Sequence, residues 1–317
     1  MKIIESLMLV LLAATVGCDS RENAGTGGAG PSGGASSRLI GVSFQTMNNP
    51  FFVDLNNGLK SAVEARGDRL VTLDAQYNSS KQRGDVSDLI NQGAALIFIN
   101  PVNWEGVKGS LIQAQKASIP CIIVDAPVED ESLVLSTVAS DNVEAGRLAA
   151  RALAAVRPKA KLVILQVAVN KASLDRVAGF KEELANHPEM TVLDIQECKG
   201  TTEGALPVAR DLIGRYSELD AIFAINDPSA LGAISALESA GKLDKVAVAS
   251  VDGSERAIAA IKQGKLVSSS AQFPVEMGKA AAQQAYNHFE KRDVQKDVKV
   301  RVELITKDNA DKFGKQG

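Results

Sequence analysis

Short apolar runs alternate with longer amphipathic stretches along most of the chain, from residue 38 onward. The longer stretches, such as VDLNNGLKSAVEARG and VEAGRLAARALAAV, carry apolar residues at helical spacing. Strands that alternate with helices are typical of parallel sheets covered by helices on both faces. The pattern predicts nine buried strands, at residues 38–44, 69–75, 95–100, 120–125, 161–167, 191–196, 221–226, 246–252 and 266–272.

Nine strands are more than one compact sheet would comfortably hold in a chain of this size. We therefore predict an α/β fold with two doubly wound parallel sheets, each covered by its own helices. In open parallel sheets, ligands bind outside the carboxyl ends of the strands. The residues that follow each strand are thus the first candidates for chemistry.

The first 18 residues, MKIIESLMLVLLAATVGC, combine an early charge, an apolar run and small residues before Cys18. They predict an export signal, too short for an ordinary membrane-spanning helix. Its end, TVGC, resembles a bacterial lipoprotein signal, in which the cysteine is lipidated and becomes the mature N-terminus. The resemblance implies a lipid anchor at Cys18 and an exported, periplasmic protein; ordinary cleavage and export is the alternative.

Residues 19–37 are rich in glycine and serine and predict a flexible tether. Within them, GTGGAG at 25–30 matches the G-x-G-x-x-G pattern of dinucleotide sites. That motif requires a preceding strand and a following helix, and neither is predicted here. We interpret it as part of the linker.

Composition narrows the function classes. Hydrophobic residues make up 45% of the 317-residue chain, charged residues 23%, and the net charge is -3. This profile is typical of a soluble globular protein and lacks the basic face that nucleic-acid binding needs. The two histidines supply no metal site or catalytic relay, and no cofactor motif survives. Cys121, in an apolar strand, and Cys198 have no spacing that suggests a disulfide.

The predicted strands end in amides, carboxylates and one guanidinium, without a nucleophile–base pair. A sugar hydroxyl both donates and accepts hydrogen bonds, so Asp, Arg, Asn and Gln suit a polyhydroxylated ligand. Apolar sugar faces pack on aromatic rings, which gives the double Phe of TMNNPFF a use. Pro50 fits the first turn of a helix, so Phe51 and Phe52 can present their rings to a ligand instead of to one core stripe. The structural alternatives are core packing for each Phe, a helix cap for Asn226 and a surface position for Arg176.

Several segments of the chain, taken together, resemble those of one protein family. They are TMNNPFFVDLNNGLKSAVEARG, INP at 99–101, TVASDN at 137–142, RVAGF at 176–180, FAINDPSALGAISAL at 223–237, VDG at 251–253 and AQFP at 271–274. Over about residues 38–305 the chain is similar to the ribose-binding branch of type I periplasmic sugar-binding proteins. The resemblance implies two α/β lobes that clamp a ligand and are joined by a three-segment hinge, near 139–141, 271–273 and 298–302. It implies a first lobe of 38–139 plus 273–299 and a second of 140–272 plus 300–317.

The family's ligand contacts carry over, by resemblance, to Asn49, Phe51, Phe52, Asp125, Arg176, Asn226, Asp252 and Gln272. Three positions depart from ribose binders. Ala126 follows Asp125 where an Arg is typical, Lys199 stands near an expected stacking aromatic, and Gln45 replaces a smaller Ser. These changes favour another pentose, a hexose or a polyol, or a sugar acid if Lys199 reaches the cleft. Trp104 follows a strand end and is either a stacking residue at the cleft rim or a packing residue.

The resemblance implies a monomeric receptor that closes on a monosaccharide and delivers it to an ABC-type permease. A sensor that presents its closed form to a membrane signalling protein is the alternative. A lac-repressor-type regulator shares the lobes but needs a helix-turn-helix headpiece, whereas residues 1–37 offer a signal and a tether. An enzyme that uses Asp125 and Asp252 as a carboxylate pair is the remaining alternative.

Overall fold

The apolar runs form the inner layers of two sheets in the computed structural model, which describes residues 37–313. The predicted signal, Cys18 and nearly all of the predicted tether lie outside the described residues. Within that range the sheets contain twelve strands: β1 (Leu39–Phe44), β2 (Arg69–Asp74), β3 (Leu96–Ile99), β4 (Cys121–Val124), β5 (Ser136–Ser140), β6 (Lys161–Gln166), β7 (Thr191–Glu197), β8 (Ala221–Ala224), β9 (Ala247–Asp252), β10 (Ser268–Ala271), β11 (Asp297–Val300) and β12 (Glu303–Thr306).

Helices connect most consecutive strands and cover both faces of each sheet. They are α1 (Pro50–Glu64), α2 (Ser79–Asn91), α3 (Lys108–Lys116), α4 (Asn142–Val156), α5 (Lys171–Leu184), α6 (Thr202–Arg215), α7 (Asp227–Ser239), α8 (Glu255–Lys262) and α9 (Pro274–Phe289). No helix between residues 37 and 313 is both long enough and apolar enough to cross a membrane.

The two sheets have the same winding. The first has the order β11-β5-β4-β3-β1-β2 and is parallel throughout, and the second has the order β12-β10-β9-β8-β6-β7. β12 runs antiparallel to β10, so the second sheet departs from the all-parallel prediction at one edge. In each sheet the strand order reverses at the first strand of the unit, β1 or β6, and ligands of such folds bind at this switch point.

All nine predicted strands are present, but three strands of the structure were not predicted as such. β5, β11 and β12 are four or five residues long and contain polar residues throughout, so they lack the continuous apolar run of a central strand. β11 and β12 lie at sheet edges, where one side of the strand makes no ladder and apolar side chains are less needed.

The chain passes between the sheets three times: after β5, after β10, and between β11 and β12. The first sheet therefore includes Ser140 and Val300, each one residue beyond the predicted end of a first-lobe segment. α4 packs on the second sheet and α9 on the first, so the first two crossings each lead into a covering helix. The lobe boundaries as a whole stay a prediction.

Helices α4 and α5 touch backbone to backbone at two glycines. A Cβ added at Gly146 would lie 1.9 Å from the carbonyl oxygen of Arg176, and one at Gly179 would lie 1.9 Å from that of Val143. Only glycine permits this approach, because neither contact can be relieved by turning a flexible side chain. The contact sets the position of α5 and of Arg176 on it.

Cys121 lies in β4 and Cys198 follows β7, so the two cysteines belong to different sheets. Both are buried and free. Burial raises the pKa of the Cys121 thiol to about 12, as expected for a cysteine that serves as a small apolar core residue.

Replacing Gly179 with Ala should destabilise the fold by about 1–3 kcal/mol, because α4 and α5 must separate to admit the methyl group. Urea unfolding measures the loss. The matched control is Gly84→Ala on α2, where a Cβ meets no atom within 4 Å. That change should stabilise by about 0.5–1 kcal/mol through helix propensity. Equal effects of the two substitutions would contradict the close helix contact.

Candidate functional site

A cleft of about 490 Å³, including space open to solvent, lies between the carboxyl ends of the two sheets. Both sheets contribute to its walls through the loops that follow β1, β2, β4, β6, β7, β8, β9 and β10. The structure places ten of the eleven predicted ligand residues on this cleft. They are Asn49, Phe51, Phe52, Asp125, Arg176, Asn226, Asp252, Gln272, Gln45 and Lys199.

The segment after β1 folds as a capped helix start. Asn49 is the N-cap of α1, and its side-chain oxygen accepts a hydrogen bond from the Phe51 amide at 3.0 Å. Phe51 and Phe52 pack edge to face, with ring centroids 5.2 Å apart, and Phe52 also contacts Phe44 in the core. The prediction that the two rings face a ligand instead of the core was wrong in one respect. Both are more than 90% buried in the first sheet's core as well as lining the cleft, because the helix start lies directly above that core.

Asp125 follows β4 and is held by an asparagine that the sequence analysis did not select. Asn100, fully buried after β3, donates to the Asp125 carboxylate at 3.0 Å and accepts from the Gln45 amide at 3.1 Å. Burial raises the pKa of Asp125 to about 6, and Arg176 and the Asn100 hydrogen bond offset part of that rise. Asn100 stands at the predicted end of the third strand, so the strand-end rule could have found it.

Hydrogen bonds hold Arg176 at the carboxyl end of the second sheet. Its Nε donates to the Asn142 side-chain oxygen at 2.8 Å, and its Nη1 donates to the Ile225 carbonyl at 2.8 Å. Nη1 also lies 3.7 Å from an Asp252 oxygen, and the residue is 5% exposed. The surface alternative for Arg176 is therefore wrong. Fixed hydrogen bonds orient a guanidinium toward the cleft at low entropic cost.

Asp252 and Asp227 form a buried acidic pair below the cleft. Asp252 accepts from Gln272 Nε2 at 2.8 Å, while Asp227 accepts from the hydroxyls of Ser250 and Ser269 and from the Ser254 amide. Burial and the neighbouring Asp227 raise the pKa of Asp252 to about 8, against the opposing effect of Arg176. Burial likewise raises the pKa of Asp227, and its hydrogen bonds oppose the rise.

Asn226 acts as a helix cap while lining the cleft. Its side-chain oxygen accepts from the Ser229 amide at 3.0 Å, and its Nδ2 donates to the Gly200 carbonyl at 2.9 Å. The cap alternative is therefore correct for Asn226, and its hydrogen bonds also position the loop after β7. That loop presents Lys199 and the backbone of Gly200 to the cleft, so no aromatic ring stands there.

Trp104 is the one predicted residue that the described cleft walls do not include. The residue is half-buried, and its amide donates to the Val169 carbonyl at 3.1 Å, which joins the loop after β3 to the loop after β6. The backbone makes this contact, so the choice between a stacking residue at the cleft rim and a packing residue stays a prediction.

Tyr77 and Asn170 also line the cleft, and neither was predicted from the sequence. Tyr77 follows β2 and Asn170 follows β6, so each obeys the strand-end rule. The signal for Tyr77 was an aromatic residue two positions beyond a predicted strand. Asn170 is the N-cap of α5 and accepts from the Ser173 amide at 3.0 Å.

Known proteins resemble this chain over most of its length. Residues 40–293 match the model of the periplasmic binding protein domain. The ribose import binding protein of Bacillus subtilis is 34% identical over 275 residues, which cover 87% of this chain and 89% of that protein. The chain belongs to the periplasmic binding protein family. Its resemblance to the ribose-binding branch is thereby confirmed.

Solved structures agree with the two-lobe fold. An ABC transporter solute-binding protein from Mycobacterium smegmatis with bound glycerol is 31% identical, with a TM-score of 0.84, covering 89% of this chain and 98% of that one. A solute-binding protein from Bacillus halodurans with bound myo-inositol is 26% identical, with a TM-score of 0.82, covering 88% and 98%. These relatives are a ribose import binding protein and two solute-binding proteins of ABC transporters, and not enzymes, and the family implies an extracytoplasmic location.

Backbone strain in this family member concentrates at the cleft. Seven non-glycine residues in the described range have positive φ, and four of them line the cleft: Tyr77, Asp125, Lys199 and Asp252. Such conformations cost of order 1–3 kcal/mol each and persist where the surroundings enforce them. No cluster of metal-ligating side chains occurs within residues 37–313.

The raised pKa of Asp252 predicts a pH-dependent stability. The folded protein retains a proton between the ordinary pKa of 3.8 and about 8, whereas the unfolded chain loses it. The free energy of unfolding should therefore fall as pH rises from about 4 to 8, by up to about 1.4 kcal/mol per pH unit from this group.

Urea unfolding of ligand-free protein at several pH values measures this slope. Asp252→Asn should flatten it, whereas Asp244→Asn, at an exposed position, should leave it unchanged. An unchanged slope in Asp252→Asn would show that the carboxyl is already ionised in the folded protein.

Proposed function

We propose that this protein is a receptor that closes on a single monosaccharide or related polyol and delivers it to an ABC-type permease. The observation that carries the proposal is the cleft, where Arg176 and Asp252 from one sheet face Asn49 and Asp125 from the other. A ligand that bonds to both walls favours the closed form over the open one, which is the thermodynamic requirement for ligand-driven closure.

The side chains suit hydroxyl recognition from both directions. Asp125 and Asp252 accept, Arg176 donates, and Asn49 and Gln272 do both. Phe51 and Phe52 add an apolar wall for the C–H face of a ring or chain. The relatives support this class, since the protein from Bacillus subtilis is a ribose import binding protein and two neighbours hold glycerol and myo-inositol.

Ribose itself fits this proposal less well than another pentose, a hexose or a polyol. Ala126 supplies no guanidinium beside Asp125, and Lys199 stands near the place in the loop after β7 where ribose binders have a stacking aromatic. The missing guanidinium removes hydrogen-bond donors and opens space beside Asp125. We therefore expect the preferred ligand to differ from ribose in size or in substituents.

We also propose that the protein is a monomer that is anchored to a membrane by lipid at Cys18. Its first lobe consists of 38–139 plus 273–299, and its second of 140–272 plus 300–317. The sequence TVGC supports the anchor. Several acyl chains on one cysteine would give firm attachment, whereas a single chain binds only marginally. Mass spectrometry of the membrane-bound protein tests the anchor, with Cys18→Ser expected to release the protein from the membrane.

Calorimetric titration of the purified protein against pentoses, hexoses, polyols and sugar acids tests the binding proposal. We expect one-to-one binding of one ligand. Arg176→Ala should weaken it by roughly 100-fold or more, since the change removes a buried, oriented charge. Arg256→Ala, on the exposed face of α8, is the matched control and should bind as the parent does.

Absence of binding across the panel by folded protein would sink the sugar proposal. Arg176→Lys separates charge from geometry, because it retains the positive charge but not both bonds to Asn142 and Ile225.

A sensor that presents its closed form to a membrane signalling protein is the second candidate, and the same cleft and closure support it. A deletion strain distinguishes the two. Loss of uptake of the bound ligand indicates transport, whereas intact uptake with a lost cellular response to the ligand indicates signalling.

A further inference from the structure

The cleft contains more buried acidic groups than buried basic ones. Asp125, Asp227 and Asp252 lie at or directly below it, and Arg176 is the one guanidinium among its described lining residues. Arg176 makes its ion-pair contact with Asp252 and gives two further hydrogen bonds to the protein. These contacts fix the guanidinium on the second sheet's side of the cleft, where its nearest carboxylate oxygen is that of Asp252 at 3.7 Å.

Asp125 has no such partner. It is 4% exposed, and one oxygen accepts from the neutral amide of Asn100. Within residues 37–313 the other oxygen has no hydrogen-bond partner, and the carboxylate forms no ion pair. Its chain neighbours Ala126 and Pro127 supply no charge. The charge of Arg176 offsets only part of the cost of burying this carboxylate, so its free oxygen is available to a ligand that brings a second cation.

Tyr77 lies at a second position on the cleft wall. Burial, followed by the nearby carboxylates of Asp252, Asp74 and Asp125, raises the pKa of its phenol to about 12. The residue is 41% exposed and lines the cleft, where a ligand can contact it. An aromatic face beside a carboxylate suits an ammonium group, which is attracted to both.

A buried acceptor without a partner also favours a ligand that donates hydrogen bonds. Gln272 lines the cleft, and its side-chain oxygen is buried and has no hydrogen-bond partner in the described part of the chain. Lys199, the other basic residue on the cleft wall, is exposed and forms no ion pair with the described residues. An ammonium group provides three donors and no acceptor, whereas a hydroxyl provides one donor and also needs donors itself.

From this juxtaposition we propose that the ligand carries a protonated amine in addition to its hydroxyls, as in an amino sugar or an aminated cyclitol. The ammonium lies against the free oxygen of Asp125 and the ring of Tyr77, and Arg176, Asp252 and Asn49 bind the hydroxyls. The inference rests on the proposed function, because it assigns the substrate class of the same cleft.

Matched ligand pairs test it in calorimetric titrations of the purified protein at pH 7. Each pair consists of a 2-amino-2-deoxy hexose and its parent hexose, or an aminated cyclitol and its parent cyclitol, with the N-acetylated amine as a third member. In the best-bound pair the amine should bind at least about tenfold more tightly than the parent. N-acetylation, which removes the charge and adds an acetyl group, should abolish that gain.

Asp125→Asn then isolates the charge. The variant retains a similar shape, and its amine-to-parent affinity ratio should fall to about one, whatever its absolute affinity. Asp244→Asn should leave the ratio unchanged. A measurement on the unaltered protein adds a second test in case Asp125→Asn does not fold. At pH 6, titrations in two buffers of different ionisation enthalpy should show proton release on amine binding, because Asp125 ionises beside the cation.

The outcomes are distinguishable. Parents that bind as tightly as their amines overturn this inference and leave the proposed function intact. Preferential binding of sugar acids also overturns it and assigns the charge contact to Lys199. A folded protein that binds neither amines nor parents overturns the proposed function and this inference together.

Discussion

The cleft depends on one buried guanidinium. Arg176 is held by Asn142 at the start of α4 and by the carbonyl of Ile225 after β8, and its charge opposes the unfavourable ionisation of Asp252. Its helix can occupy this place because Gly146 and Gly179 allow α4 and α5 to touch along their backbones. A larger side chain at either glycine would move the guanidinium away from the strand ends. The packing of α4 against α5 therefore also fixes the position of the Arg176 guanidinium in the cleft.

The buried acidic groups of the cleft lower the stability of the folded protein. Asp125 and Asp252 are buried, have raised pKa values and adopt backbone conformations that non-glycine residues rarely occupy. The hydrogen bonds from Asn100 and Gln272 compensate only in part. Such groups are expected where binding, and not stability, selects the residue. A ligand that supplies the missing hydrogen bonds and charge also stabilises the protein that binds it.

Charge balance distinguishes this cleft from one suited to a neutral sugar alone. The second sheet's side pairs Asp252 with Arg176, whereas Asp125 on the first sheet's side has a neutral partner, Asn100. Ala126, which follows Asp125, supplies no positive charge on that side. Tyr77, which the same carboxylates surround, adds an aromatic face on that side. Two positions in the loops can thus alter ligand class while every strand keeps its place.

The sequence by itself determined the class of fold, because buried parallel strands need continuous apolar runs and their helices need amphipathic ones. It also determined the ends of the strands, and with them most polar residues of the cleft, since carboxyl ends of parallel strands meet at one edge. Only the tertiary structure decided the edge strands β11 and β12, whose short polar sequences form strands through pairing alone. It also decided that Trp104 bonds to the facing loop, that Asn100 orients Asp125, and that Arg176 pairs with Asp252. Those contacts join residues distant in the chain, and local periodicity carries no information about which distant groups come within a few ångströms.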